Sequence, residues 1–132
     1  MAEAWNRGDA EGFAARFSDT ADFIAFEGTH LKGRDEIVAF HEHIFATVVK
    51  GSRLDPTVRF VRPVSRDVAV IHSAVAITLA GHERPSLGRE SMQLFVAVRN
   101  GETWRAEAMQ NARQLTLELQ ALLDAHDAPD DH

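Results

Sequence analysis

Two apolar-rich, β-prone stretches meet across Asn100-Gly101, and that junction constrains the fold more than any other feature of the chain. Ser91-Met92-Gln93-Leu94-Phe95-Val96-Ala97-Val98 runs into Arg99-Asn100-Gly101-Glu102 and returns through Thr103-Trp104-Arg105-Ala106-Glu107-Ala108-Met109-Gln110-Asn111. Asn and Gly tolerate the positive φ that tight turns demand, so the pattern reads as a β-hairpin. A second landmark, Trp5-Asn6-Arg7-Gly8-Asp9-Ala10-Glu11-Gly12-Phe13, stands near the other end.

The length of 132 residues suits one domain, expected over residues 1–126 with an acidic tail at 127–132. Apolar residues make up 45% and charged residues 26%, the balance of a soluble globular chain. No apolar run approaches the ~20 residues of a membrane-spanning helix. The start lacks the basic flank and apolar core of a secretory signal, which makes the cytoplasm the default compartment. There is no cysteine, hence no disulfide or thiolate metal site. The net charge of −6 and the scattered basic residues argue against nucleic acid, which needs a basic stripe.

Asp9 is positioned to cap a short helix over 10–17. The segment before it, 2–7, is too short to be stable alone, so either the true start lies upstream or the sequence begins within an element. Residues 21–26 and 29–32 read as strands separated by Glu27-Gly28. Asp35 reads as the cap of a second helix that Gly51 stops. Spacing at about 100° per residue puts Ile37, His41, Ile44, Phe45 and Val48 on one face of that helix. Four strands follow, at 57–64, 68–79, 89–98 and 103–112, and then a helix from 114 to about 126 striped with Leu115, Leu119, Leu122 and Leu123. Helices followed by an antiparallel meander define an α+β fold, a curved mixed sheet of about six strands wrapped on helices as a cone.

The order of these landmarks resembles the nuclear transport factor 2-like superfamily, and within it the SnoaL-like proteins of the SgcJ/EcaC type. The matching parts are Trp5-Asn-Arg-Gly-Asp9-Ala with Phe13 and Phe17, then Asp19-Thr-Ala-Asp-Phe23, and Gly28 with Gly33-Arg34 and Ile37. Val98-Arg-Asn-Gly-Glu-Thr-Trp104-Arg followed by Met109-Gln-Asn111 completes the match, which spans residues 1 to about 112. The resemblance implies a conical barrel, often a homodimer through the outer sheet face, with an apolar cavity inside; no cofactor is expected. The superfamily includes isomerases, cyclases, dehydratases, epoxide hydrolases and pure binding modules, so the fold alone does not decide the function. Against ketosteroid isomerase, the general-base Asp falls on Ala25, the oxyanion-hole Asp near Leu94, and the oxyanion-hole Tyr at about Met1. Steroid-isomerase chemistry is therefore not expected.

His41 is the candidate catalytic residue, an isolated polar group on an apolar helix face. A neutral imidazole there can act as acid or base, hydrogen-bond a ligand, or serve as a core histidine held by a backbone carbonyl. It matches a tyrosine that supports the isomerase's oxyanion hole. Glu27 shares strand parity with Phe23 and Ala25 and is the second candidate, either a base at the cavity mouth or a surface residue beside the turn. His72 lies within a strand apolar on both faces, so cavity and dimer interface stay open. A three-residue hairpin loop puts Trp104, Ala106, Ala108 and Gln110 on the concave face with Met92, Leu94, Val96 and Val98, and a two-residue loop reverses those partners. Trp104 is expected to plug the core. The expected ligand-binding set is Trp5, Phe17, Phe23, Ala25, His41, Phe45, His72, Met92, Leu94, Ala108 and Gln110. His41 and His43 diverge by roughly 200° on a helix, so no metal site is expected from them. His30, His82 and His126 read as surface residues.

These features predict a homodimeric protein that binds a small apolar organic ligand in the cone. Isomerase, cyclase or dehydratase-type proton transfer is one outcome, and a non-catalytic binding or assembly module is the other.

Overall fold

The computed structural model describes residues 1–85, 90–114 and 117–127. In chain order the elements are α1 (Ala2–Asn6), α2 (Ala10–Ala14), β1 (Phe17–Ile24), β2 (His30–Lys32) and α3 (Gly33–Ala46). The second half contributes β3 (Arg53–Pro63), β4 (Val68–Thr78), β5 (Ser91–Asn100), β6 (Thr103–Arg113) and α4 (Leu117–Asp127). The sheet order is β2-β1-β6-β5-β4-β3, antiparallel throughout except for the parallel β1–β6 pair, so the fold is the mixed-sheet α+β expected.

Local chemistry sets several boundaries. Asp9 caps α2 by accepting from the Gly12 N–H at 2.9 Å, and that bond holds its carboxyl below the usual carboxylate range. The helix is shorter than expected because Phe17 already belongs to β1, whose outset is tied down by Arg34. That side chain donates from Nε and Nη2 to the Phe17 carbonyl at 3.1 and 2.6 Å and pairs with Asp19 at 2.6 Å. Asp35 does not cap α3; the chain enters the helix at Gly33, with Lys32 as the cap and the Glu36 carboxylate accepting from the Lys32 N–H. The helix ends at Ala46, before Gly51, so Val48 is exposed and Val49 is buried in its stead. Arg89 of the expected fifth strand and Leu115 of the leucine stripe lie outside the described residues, as does the acidic end beyond residue 127.

Three register irregularities bend the sheet: between Phe17 and Asp22 in β1, between Val58 and Phe60 in β3, and opposite Val96–Ala97 in β6. Each extra residue bends its strand and strengthens the local twist. At the β6 irregularity the surplus residue is Glu107, whose carboxylate accepts from the Ser18 and Thr20 hydroxyls at 2.5 and 2.9 Å. The sheet's inner face carries Phe23, Met109 and Phe95 in one row, packed with α1, α2 and α3 around a core that includes Phe13, Phe17, Ile37 and Phe45.

Candidate functional site

The hairpin loop has two residues, Gly101 and Glu102, between the paired Asn100 and Thr103. Gly101 supplies the positive φ, +67°. This corrects the three-residue register. On β5 the inner face carries Gln93, Phe95 and Ala97, and Met92, Leu94, Val96 and Val98 lie on the outer face. The Glu107 bulge then switches parity along β6, so Ala106 and Met109 point inward and Ala108 and Gln110 outward. His72 also faces outward, its ring centroid 5.1 Å from that of Phe60. Five residues expected in the cavity, His72, Met92, Leu94, Ala108 and Gln110, therefore belong to the opposite side of the sheet. Trp104 is no core plug either: it is 42% exposed, with the Arg99 guanidinium 5.5 Å from its ring centre.

Four of the expected residues do converge. Trp5, Phe23, Ala25 and His41 line a cavity of about 210 Å³ beneath α3 and the inner end of the sheet, with Glu27 at its border. Phe17 and Phe45 pack in the core behind it. Periodicity correctly put His41 on the buried face, 1% exposed, while His43 on the same helix is exposed. The His41 ring is enclosed by Phe13, Phe23, Phe40, Phe45 and Trp5, with centroids 4.3–6.1 Å away. Its Nδ1 lies 2.7 Å from the Ile37 carbonyl. A carbonyl only accepts, so Nδ1 carries the proton and Nε2 keeps a lone pair. Burial drives the His41 pKa down to about 4, with the Ile37 bond opposing weakly. Trp5 is fixed by its Nε1–H donating to Ser52 Oγ at 2.9 Å.

Glu27 does not reach the interior. β1 ends at Ile24, and Glu27 falls in the exposed turn before Gly28, with its carboxylate accepting from the Thr29 hydroxyl. Parity counting fails there because the chain is no longer a strand. Three polar residues missing from the expected set do line the cavity: Ser91, which is buried, Asn111 and Arg113. The Asn111 Oδ1 is buried and has no hydrogen-bond partner among the described residues. Its register partner is Gln93, itself paired with Ser73, whose hydroxyl donates to Gln93 Oε1 at 3.2 Å. Arg113, at the same end, holds its guanidinium 3.8 Å from the centre of the Phe26 ring.

A second hollow of about 360 Å³ lies further along the inner face, lined by Phe13, Phe95 and Met109 and bordered by Met1 and Ala2. Its floor polar pair, Ser73 and Gln93, is mutually satisfied, whereas Asn111 in the smaller cavity is not. The smaller cavity is the better chemical site for that reason. Among the described residues no group of three His, Asp or Glu side chains is placed to hold a metal ion.

A bent mixed sheet packed on helices around an internal cavity defines the cystatin-like, nuclear transport factor 2-like class of α+β proteins. The chain matches the SnoaL-like domain over residues 1–112 and belongs to that family. A domain of unknown function with a cystatin-like fold from Nostoc punctiforme is 51% identical, with a TM-score of 0.89 over 98% of this chain and 80% of the other. An uncharacterised cystatin-like protein from Caulobacter vibrioides superposes with a TM-score of 0.75 at 21% identity, over 96% of this chain and 90% of the other. A ketosteroid isomerase-like protein from Erwinia carotovora atroseptica gives 0.68 at 19% identity, over 86% and 88%. No curated protein matches the chain.

Proposed function

We propose that the protein is a small-molecule-binding member of the SnoaL-like family, taking a mostly apolar organic ligand into the cavity beneath α3. The observation that carries this reading is the combination of aromatic walls with Asn111 Oδ1, a buried acceptor that costs roughly 1–3 kcal/mol if left unpaired. An apolar pocket with few convergent polar groups is the usual form of a ligand site.

Binding has more support than proton transfer. With a pKa of about 4, His41 is neutral near pH 7 and a weak base, and efficient general acid–base groups titrate near the working pH. Glu27 lies on the exposed turn. If the family's isomerase, cyclase or dehydratase chemistry runs here, His41 Nε2 is the group that takes the proton, at a rate limited by that basicity.

The reading also includes a homodimer in the cytoplasm. Phe60, His72, Leu94 and Gln110 form one row across the outer sheet face, with Leu94 48% exposed. A solvent-facing sheet with that apolar content suits a second copy.

Toluene is a suitable probe, followed by fluorescence of Trp5 in a Trp104→Phe background that leaves Trp5 as the lone indole. Saturable binding that Ala25→Leu abolishes by filling the cavity is expected. Binding undiminished in Ala25→Leu would mean that toluene binds outside this cavity.

A further inference from the structure

We infer that the cavity selects a single-ring, uncharged compound bearing a hydroxyl group that donates a hydrogen bond to Asn111 Oδ1. This rests on the proposed ligand-binding reading and narrows it.

Size comes first. A cavity of about 150 Å³ with apolar walls accommodates benzene, so the 210 Å³ found here takes one ring with one or two small substituents. Polarity comes second. Asn111 Oδ1 is an acceptor, buried and unpaired among the described residues. His41 Nδ1 is committed to the Ile37 carbonyl, which makes Nε2 an acceptor as well. A ligand with only acceptors meets two lone pairs and leaves Asn111 unsatisfied, whereas a donor removes that cost. Charge comes third. The five rings around His41 form a poor environment for an ion, so an ammonium group or a carboxylate is penalised relative to a neutral hydroxyl. The buried Ser91 hydroxyl, which can donate as well as accept, is available for the ligand oxygen's lone pairs. Arg113 also lines the cavity, with its guanidinium against the Phe26 ring, 3.8 Å from the ring centre.

The test compares 4-methylphenol, 4-methylanisole, toluene and benzoate by Trp5 fluorescence in the Trp104→Phe protein. Transfer from water alone favours toluene over the phenol, so a preference for the phenol reports the polar groups. We expect 4-methylphenol to bind at least tenfold more tightly than toluene or 4-methylanisole, and benzoate most weakly. In Asn111→Leu, which removes an unpaired buried acceptor and is expected to fold, the phenol preference should fall below threefold while toluene still binds. Equal binding of the phenol and toluene to the unsubstituted site overturns the inference and leaves the cavity reading standing. Benzoate binding tightest also overturns it, since Arg113 would then be the anchor. Binding of none of the four overturns both.

Discussion

His41 carries a cost that becomes visible with pH. Its folded-state pKa lies near 4 against about 6.5 in the unfolded chain. Above pH 6.5 the imidazole is neutral in both states and contributes no pH dependence. Between about 6.5 and 4 the unfolded chain takes up a proton that the folded chain refuses, so stability falls with falling pH, by about 2 kcal/mol from pH 7 to pH 5. Chemical denaturation of wild type and His41→Phe at both pH values checks this. The variant, whose ring suits the surrounding aromatic cluster, should lose about 2 kcal/mol less over that interval. The residue was legible in the sequence because a 14-residue helix repeats its face reliably. Asn111 was not, because one surplus residue, Glu107, switches strand parity between the turn and the site. Local sequence gives no sign of that bulge, since its anchors, Ser18 and Thr20, lie some ninety positions away.

At the scale of elements, the α3 start shows how capping rules yield to tertiary geometry. Asp35 has the right chemistry for a cap, yet the helix begins at Gly33, where φ is +82° and a Cβ would sit 2.9 Å from the Asp19 carbonyl. Only glycine fits that approach between β1 and the helix. Gly33→Ala is therefore expected to cost about 1–3 kcal/mol from backbone strain and the close contact, measured as a lower denaturation midpoint with an unchanged slope. A midpoint within error of wild type would mean that the chain relaxes freely there. The order and type of the other elements followed from turn residues and periodicity, and their ends moved by a few residues where pairing, not propensity, decides them. In the last helix Leu119 and Leu123 are half-buried one turn apart, and Leu117 and Leu122 are exposed.

At the scale of the whole molecule, the two sheet faces divide the work. The inner face encloses the cavity, and the outer face presents apolar side chains around His72 to solvent. If that outer face joins two copies, Leu94→Glu puts carboxylates into the interface, and sedimentation should change from a dimer to a monomer of 14.6 kDa with the fold retained. A dimer that survives the substitution places the contact elsewhere. The ligand claim is tested most directly by a crystal of the protein soaked in 4-bromophenol, with anomalous diffraction locating the bromine. A bromine peak is expected inside the cavity, with the phenol oxygen within hydrogen-bond distance of Asn111 Oδ1. A cavity containing only water, with bromine confined to the outer surface, would contradict it.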